Sequence, residues 1–332
     1  MILAFPAARN LLLLLTILLF QTRTIVGMTS TSKSDTPTYR IIDSHLHVWG
    51  TAQDAEESAC PFPFDNAPPA SLQDKGSTQA LLEHMAEAGV SGALIVQPIN
   101  YKYDHSYVIN ALQQYPHTFK GMLLHDPTLS TDDAIRRVKS LKLQGFKSVR
   151  FNPYLWPLET NMSHGAGLAV YRQCAELHMP VGIMCFHGLD LHYEDILQLI
   201  HHSPKTILIM DHFGFAGFTD RGETNFAKLQ TLATYPNVYI KISALFRLND
   251  PFPFDRVKKE RFQPLLEAFG KDRLMFGTDF PYVLEKVESY KSMIELVTAW
   301  MDTDEIRRAV MGGTAEKVFG TWGTGTAEDG EF

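Results

Sequence analysis

The chain has 332 residues, of which 45% are hydrophobic and 20% charged, an ordinary globular composition that can fill one large core or two modest ones. The formal net charge is −7 and no cluster of lysine or arginine occurs, so the basic surface of a nucleic-acid binder is missing and nucleic acid is excluded as an expected partner. The three cysteines, Cys60, Cys174 and Cys185, are too few and too scattered for a disulfide framework or a zinc finger.

At the start of the chain Arg9 precedes the apolar stretch LLLLLTILLF, from Leu11 to Phe20, and a polar run follows. This is the layout of a cleaved targeting peptide, expected over residues 1–27. The stretch is shorter than the roughly 20 apolar residues of a spanning helix, so no stable membrane span is expected once the peptide is removed. The expected destination is the secretory pathway or an organelle, or the cytoplasm if translation starts at Met28. Residues 28–38 read as a flexible linker.

From Tyr39 onwards, eight short apolar runs alternate with longer stretches of helical period. The runs are RIIDSHLH, GALIVQP, FKGMLLHDP, FKSVRFNP, PVGIMCFHG, TILIMDHFG, VYIKISAL and RLMFGTDFP. Segments such as STQALLEHMAEAG, DDAIRRVKSLKLQG and LAVYRQCAELHM read as the helices between them. Continuous apolar runs mark strands covered on both faces, and repeated strand-helix alternation indicates a parallel sheet. Eight such units predict a (β/α)8 TIM barrel over residues 39–320, with a disordered tail at 321–332. An open doubly wound sheet is the competing architecture, but polar residues at the ends of nearly all eight strands favour the barrel. The proline-rich segment after the first strand reads as a loop over the barrel mouth.

The first strand carries the chemistry most visibly. His45 and His47 are two apart, so a strand puts both on one face at its C-terminal end, where barrel active sites lie. Two imidazoles there suit a borderline cation such as zinc, while a pair of hydrogen-bonded core histidines is the plainer reading. His187 ends the fifth strand, Asp211 and His212 the sixth, and Asp279 the eighth, so three histidines and a carboxylate at four strand ends can surround one point. Arg150 at the end of the fourth strand and Arg247 beyond the seventh offer planar forks that suit a carboxylate on a small-molecule substrate; structural ion pairs are the alternative. Asp43 is expected either behind a ligand histidine or on a backbone amide.

Taken together, DSHLH, FHG, MDHFG and GTDFP resemble the amidohydrolase superfamily, in particular the amidohydrolase-related branch that includes sugar lactonases, a pyrone-dicarboxylate lactonase and metal-dependent aromatic decarboxylases. The resemblance runs from about Arg40 to about Phe319. It implies one divalent metal, zinc or else manganese, held by His45, His47, His187 and Asp279. His212 would orient water or polarise a carbonyl, and Asp279 would also act as the acid and base. Members that bridge two metals use a carboxylated lysine on the fourth strand, but here Lys147 lies too early and Arg150 holds the inner end. The implied activity is a metal-dependent lactonase acting on a small carboxylated or sugar-derived lactone. The alternatives are a metal-free lactonase, an aromatic-acid decarboxylase and a non-catalytic scaffold, and a homo-oligomer is compatible with all of them.

Overall fold

The structure, a computed structural model, describes residues 39–51, 53–54 and 67–323. The expected targeting peptide, the linker and residues 324–332 of the tail lie outside the described residues.

Eight strands form one sheet in sequence order, every neighbouring pair parallel: β1 (Ile41–Leu46), β2 (Val90–Val96), β3 (Phe119–Leu124), β4 (Phe146–Phe151), β5 (Val181–Ile183), β6 (Leu208–Met210), β7 (Val238–Ile242) and β8 (Leu274–Phe276). A bridge between Leu46 and Phe280 joins the two edges and closes the sheet into a TIM barrel. Closure removes the unpaired edges that an open sheet would present. The eight predicted strands are all present.

Helices α1 (Thr78–Ala88), α2 (Ser106–Gln114), α3 (Thr131–Lys142), α4 (Gly165–Glu176), α5 (Tyr193–His202) and α6 (Asp220–Thr231) alternate with the strands; α7 (Gln263–Phe269) precedes β8 and α8 (Tyr290–Thr298) follows it. Their ends are written locally. Ser130 caps α3 by accepting from the Asp133 N–H, and Asp132 and Asp133 open that helix while Lys139 and Lys142 close it, complementing its dipole at both ends.

The core has two parts. A large cluster lies between strands and helices, with residues such as Val149, Ile183 and Leu199 fully buried. A second cluster, including Ile42, Leu94, Met122, Ile209, Tyr239 and Met275, takes residues from several strands and fills the barrel interior. Trp322 belongs to this cluster, is 1% exposed and donates from its indole to the Ala93 carbonyl. The barrel domain therefore reaches two residues beyond the predicted boundary, because a buried tryptophan anchors the first part of the expected tail. Among the described residues no helix is long and apolar enough to cross a membrane.

Candidate active site

The barrel mouth holds a pocket of about 230 Å³ whose polar lining includes His47, Arg150, His212, Arg247 and Asp279. β1 brings its histidines there without strict alternation, because its register with β2 slips between Asp43 and Leu46. Asp43 thereby faces the seam between β1 and β8. Its carboxylate accepts from the backbone N–H of His45 and of Thr278, from the Thr278 hydroxyl and from Tyr290 OH. Burial nevertheless pushes that carboxyl up to about 6. Of the two roles open to Asp43, the one on backbone amides is the one observed.

The seam is tight. The Asp279 N–H donates to the His45 carbonyl at 2.8 Å and the His47 N–H to the Phe280 carbonyl at 2.7 Å. A Cβ on Gly277 would stand 2.8 Å from the His45 Cβ, so only glycine permits this approach.

His47 Nδ1 lies 2.8 Å from the Val96 carbonyl oxygen and must donate to it, so a neutral ring keeps a bare lone pair on Nε2. That lone pair faces Asp279 Oδ1 at 3.3 Å. Two acceptors this close repel each other unless a proton or a cation lies between them. The same oxygen is 4.0 Å from Nε2 of His45 and 4.0 Å from Nε2 of His212. Neither His45 Nε2 nor Asp279 Oδ1 has a hydrogen-bond partner, although both atoms are buried.

Ligating atoms of His45, His212 and Asp279 all lie within 4.8 Å of one another. Zinc bonds of about 2.0–2.2 Å in a tetrahedron put neighbouring donors roughly 3.4 Å apart, so this donor set fits a small divalent cation once the side chains close in by up to about 1.4 Å. His212 and Asp279 also adopt left-handed backbone, with φ of +51° and +62°. Such conformations cost a non-glycine residue roughly 1–3 kcal/mol and concentrate at functional sites.

The two arginines are already engaged. Arg247 places Nε and Nη2 at 3.1 and 3.0 Å from Asp279 Oδ2. Burial alone would raise the Asp279 carboxyl, but His212, a hydrogen bond from His47 when a proton sits on its Nε2, and Arg247 outweigh it and bring the group down to about 2. Arg150 sets its Nε 3.3 Å from Asp211 Oδ2. Both arginines line the pocket, so their remaining nitrogens are what a substrate can reach.

Behind His45 lies a charged group that the sequence reading missed. Lys241 is fully buried, with Nζ 3.1 Å from His45 Nδ1 and 3.4 Å from Asp211 Oδ1. Asp211 Oδ1 is itself 3.3 Å from His45 Nδ1, the place of the carboxylate that commonly orients a ligating imidazole. Burial lowers the lysine to about 8, partly offset by Asp211. Burial would raise Asp211, yet Lys241 and Arg150 hold it below the usual carboxylate range. The available signal was one lysine inside VYIKISAL, a strand otherwise buried on both faces. Lys147, by contrast, is exposed on β4.

His187 is not brought to the cluster. β5 is only three residues long, and the chain then turns so that the Gly188 N–H donates to the Cys185 carbonyl at 2.9 Å. Cys185 takes the buried position and His187 is left exposed, its N–H on Tyr154 OH at 2.7 Å and its ring 4.6 Å from the tyrosine ring. His212 supplies the third imidazole instead.

Known proteins resemble the chain in sequence and in fold. A sequence model described as Amidohydrolase matches residues 42–321. Two relatives carry the name L-fucono-1,5-lactonase. The protein from Burkholderia multivorans is 33% identical over 126 residues, 34% of this chain, and the match spans 42% of that relative. The one from Burkholderia ambifaria is 25% identical over 254 residues, 74% of this chain and 81% of that relative. A solved structure from Pseudomonas putida, provisionally named a 2-pyrone-4,6-dicarboxylic acid hydrolase, superposes with a TM-score of 0.69 at 22% identity, covering 85% of this chain and 98% of that one.

Proposed function

Since the chain belongs to the amidohydrolase family, we propose that it is a lactonase, opening a small cyclic ester by attack of water at the carbonyl carbon. The observation that carries this reading is the ionised Asp279, whose bare Oδ1 faces three imidazole Nε2 atoms beside a small pocket. A divalent ion held by His45, His212 and Asp279, with His47 adjoining, supplies Lewis acidity for the water and the carbonyl when it is bound.

The residues of the chain account for the remainder. Asp279 is ionised at neutral pH and accepts the proton of the attacking water. It then passes that proton to the ring oxygen as the ester C–O bond breaks. Arg247 grips Asp279 through Oδ2 and leaves Oδ1 for the reaction. Arg150 and Asn152 line the pocket and suit a carbonyl or carboxylate oxygen.

The test is a pH-stat screen of lactones with the metal-replete full-length chain, with carbon dioxide followed in parallel. One acid equivalent per ring opened, no carbon dioxide, and a loss of at least about 10²-fold in Asp279→Asn are expected. Release of carbon dioxide from aromatic acids, or a folded chain inert on every lactone, would sink the reading.

A further inference from the structure

The pocket wall away from Asp279 is lopsided in chemistry. Around the barrel from β2 to β6, the strand ends contribute Ile99, Leu124, Met184, Phe186 and Phe215 to the lining. The Phe186 and Phe215 rings meet edge to face at 5.5 Å, and Phe215 packs against the His212 ring at 5.1 Å. Ile99 and Phe186 keep exposures of 39% and 49%, so apolar surface lies open at the mouth of the site.

Polar groups on that wall are few and partly committed. Gln97 gives its amide nitrogen to the carbonyls of Lys102 and Asp104 at 3.1 and 2.6 Å, leaving Oε1 buried without a partner. Asn152 spends its side-chain oxygen on the Tyr154 N–H at 3.2 Å. Arg150 turns its Nε to Asp211. On this wall one acceptor and two donor groups remain for a ligand, and across the pocket Arg247 and Tyr282 are the further polar groups away from the His/Asp cluster.

A sugar lactone brings a hydroxyl on nearly every ring carbon. Each hydroxyl set against phenylalanine, methionine or leucine loses its water without replacement, and an apolar pocket rejects an isostere that adds one hydroxyl by about 10²-fold. The cavity of about 230 Å³ also lies below the roughly 300–1,000 Å³ usual for ligand sites. We propose that this site takes a small lactone with an apolar, aryl or alkyl body and little polarity beyond the ester, and that Met184, Phe186 and Phe215 set this preference. The proposal rests on the lactonase reading and departs from the sugar lactone in the names of the Burkholderia relatives.

The experiment compares kcat/KM for dihydrocoumarin, an aromatic δ-lactone, and D-glucono-1,5-lactone, using the full-length wild type and Phe186→Ser. Calorimetry measures binding of the two ring-opened products, 3-(2-hydroxyphenyl)propanoate and gluconate. Phe186 is half exposed, so its replacement leaves the fold intact. A preference for dihydrocoumarin of about 10²-fold or more, narrowed about tenfold in Phe186→Ser, is expected. Preference for the sugar lactone would overturn the proposal while leaving the lactonase reading in place. If neither lactone is turned over, the lactonase reading falls on these probes and the calorimetry decides the pocket class. Binding of the aromatic product over gluconate supports an apolar site, and equal binding or preference for gluconate overturns it.

Discussion

The buried pair of Lys241 and Asp211 makes a prediction that can be worked numerically. Their charged atoms are 3.4 Å apart, which at an effective dielectric constant of about 20 corresponds to an attraction of about 5 kcal/mol. Arg150 Nε, at 3.3 Å from the other oxygen, attracts Asp211 by a similar amount. The two single substitutions are therefore unequal. Lys241→Met leaves Asp211 neutralised by Arg150 and is expected to cost about 1–3 kcal/mol. Asp211→Asn leaves two cations facing each other beside His45, and is expected to cost about 3–5 kcal/mol. The double variant removes the uncompensated lysine as well, so it should be less destabilised than the sum of the singles by about 3–5 kcal/mol. Urea unfolding at pH 7, followed by tryptophan fluorescence, measures all four corners of the cycle. A coupling energy below about 0.5 kcal/mol, or a larger loss for Lys241→Met than for Asp211→Asn, would refute the argument that the carboxylate is what makes this lysine tolerable in the core.

Three other outcomes are expected. Equilibrium dialysis against zinc should give about one ion per chain in the wild type and in His187→Ala, and none retained in Asp279→Ala; loss of the ion in His187→Ala would return that histidine to the ligand set. Asp279 is held at about 2 against the usual 3.8, so its contribution to stability is complete above about pH 4 and disappears as the pH falls through 2. The stability difference between wild type and Asp279→Asn should therefore shrink by roughly 2 kcal/mol between pH 5 and 2 in urea titrations. Gly277→Ala forces a methyl group against the His45 backbone and Cβ, and should lower stability by about 1–3 kcal/mol and activity with it; an unchanged melting temperature would show that the seam relaxes at no cost.

Much of the fold was written locally. Eight continuous apolar runs become eight strands because nearly all of their positions are buried, and Ser130 with its acidic neighbours announces the start of α3. Closure was less legible, because a barrel and an open sheet share the same alternation and differ by a contact as distant as Leu46 with Phe280. His45, His47, His212 and Asp279 could be found as polar residues ending apolar strands. His187 lies away from the cluster for a geometric reason: after a three-residue strand, one turn decides whether residue 185 or 187 faces inward. Lys241 was missed because a single lysine in an apolar run carries no sign of its partners, which come from β1 and the end of β6. The pairing of Arg247 with Asp279 likewise depends on chain segments 32 residues apart.

The seam between the first and last strands has a consequence for the life of the chain. The nascent polypeptide emerges N-terminus first and exposes His45 and His47 long before Asp279 exists. Thr278, one residue before Asp279, and Tyr290, eleven residues after it, hold Asp43 in place and are equally late. A product of stalled translation or of proteolysis ahead of β8 thus lacks Asp279, the carboxylate proposed to react, and the bonds that dock it in one stroke. Catalysis becomes a certificate of completeness, and fragments are silent instead of partly active.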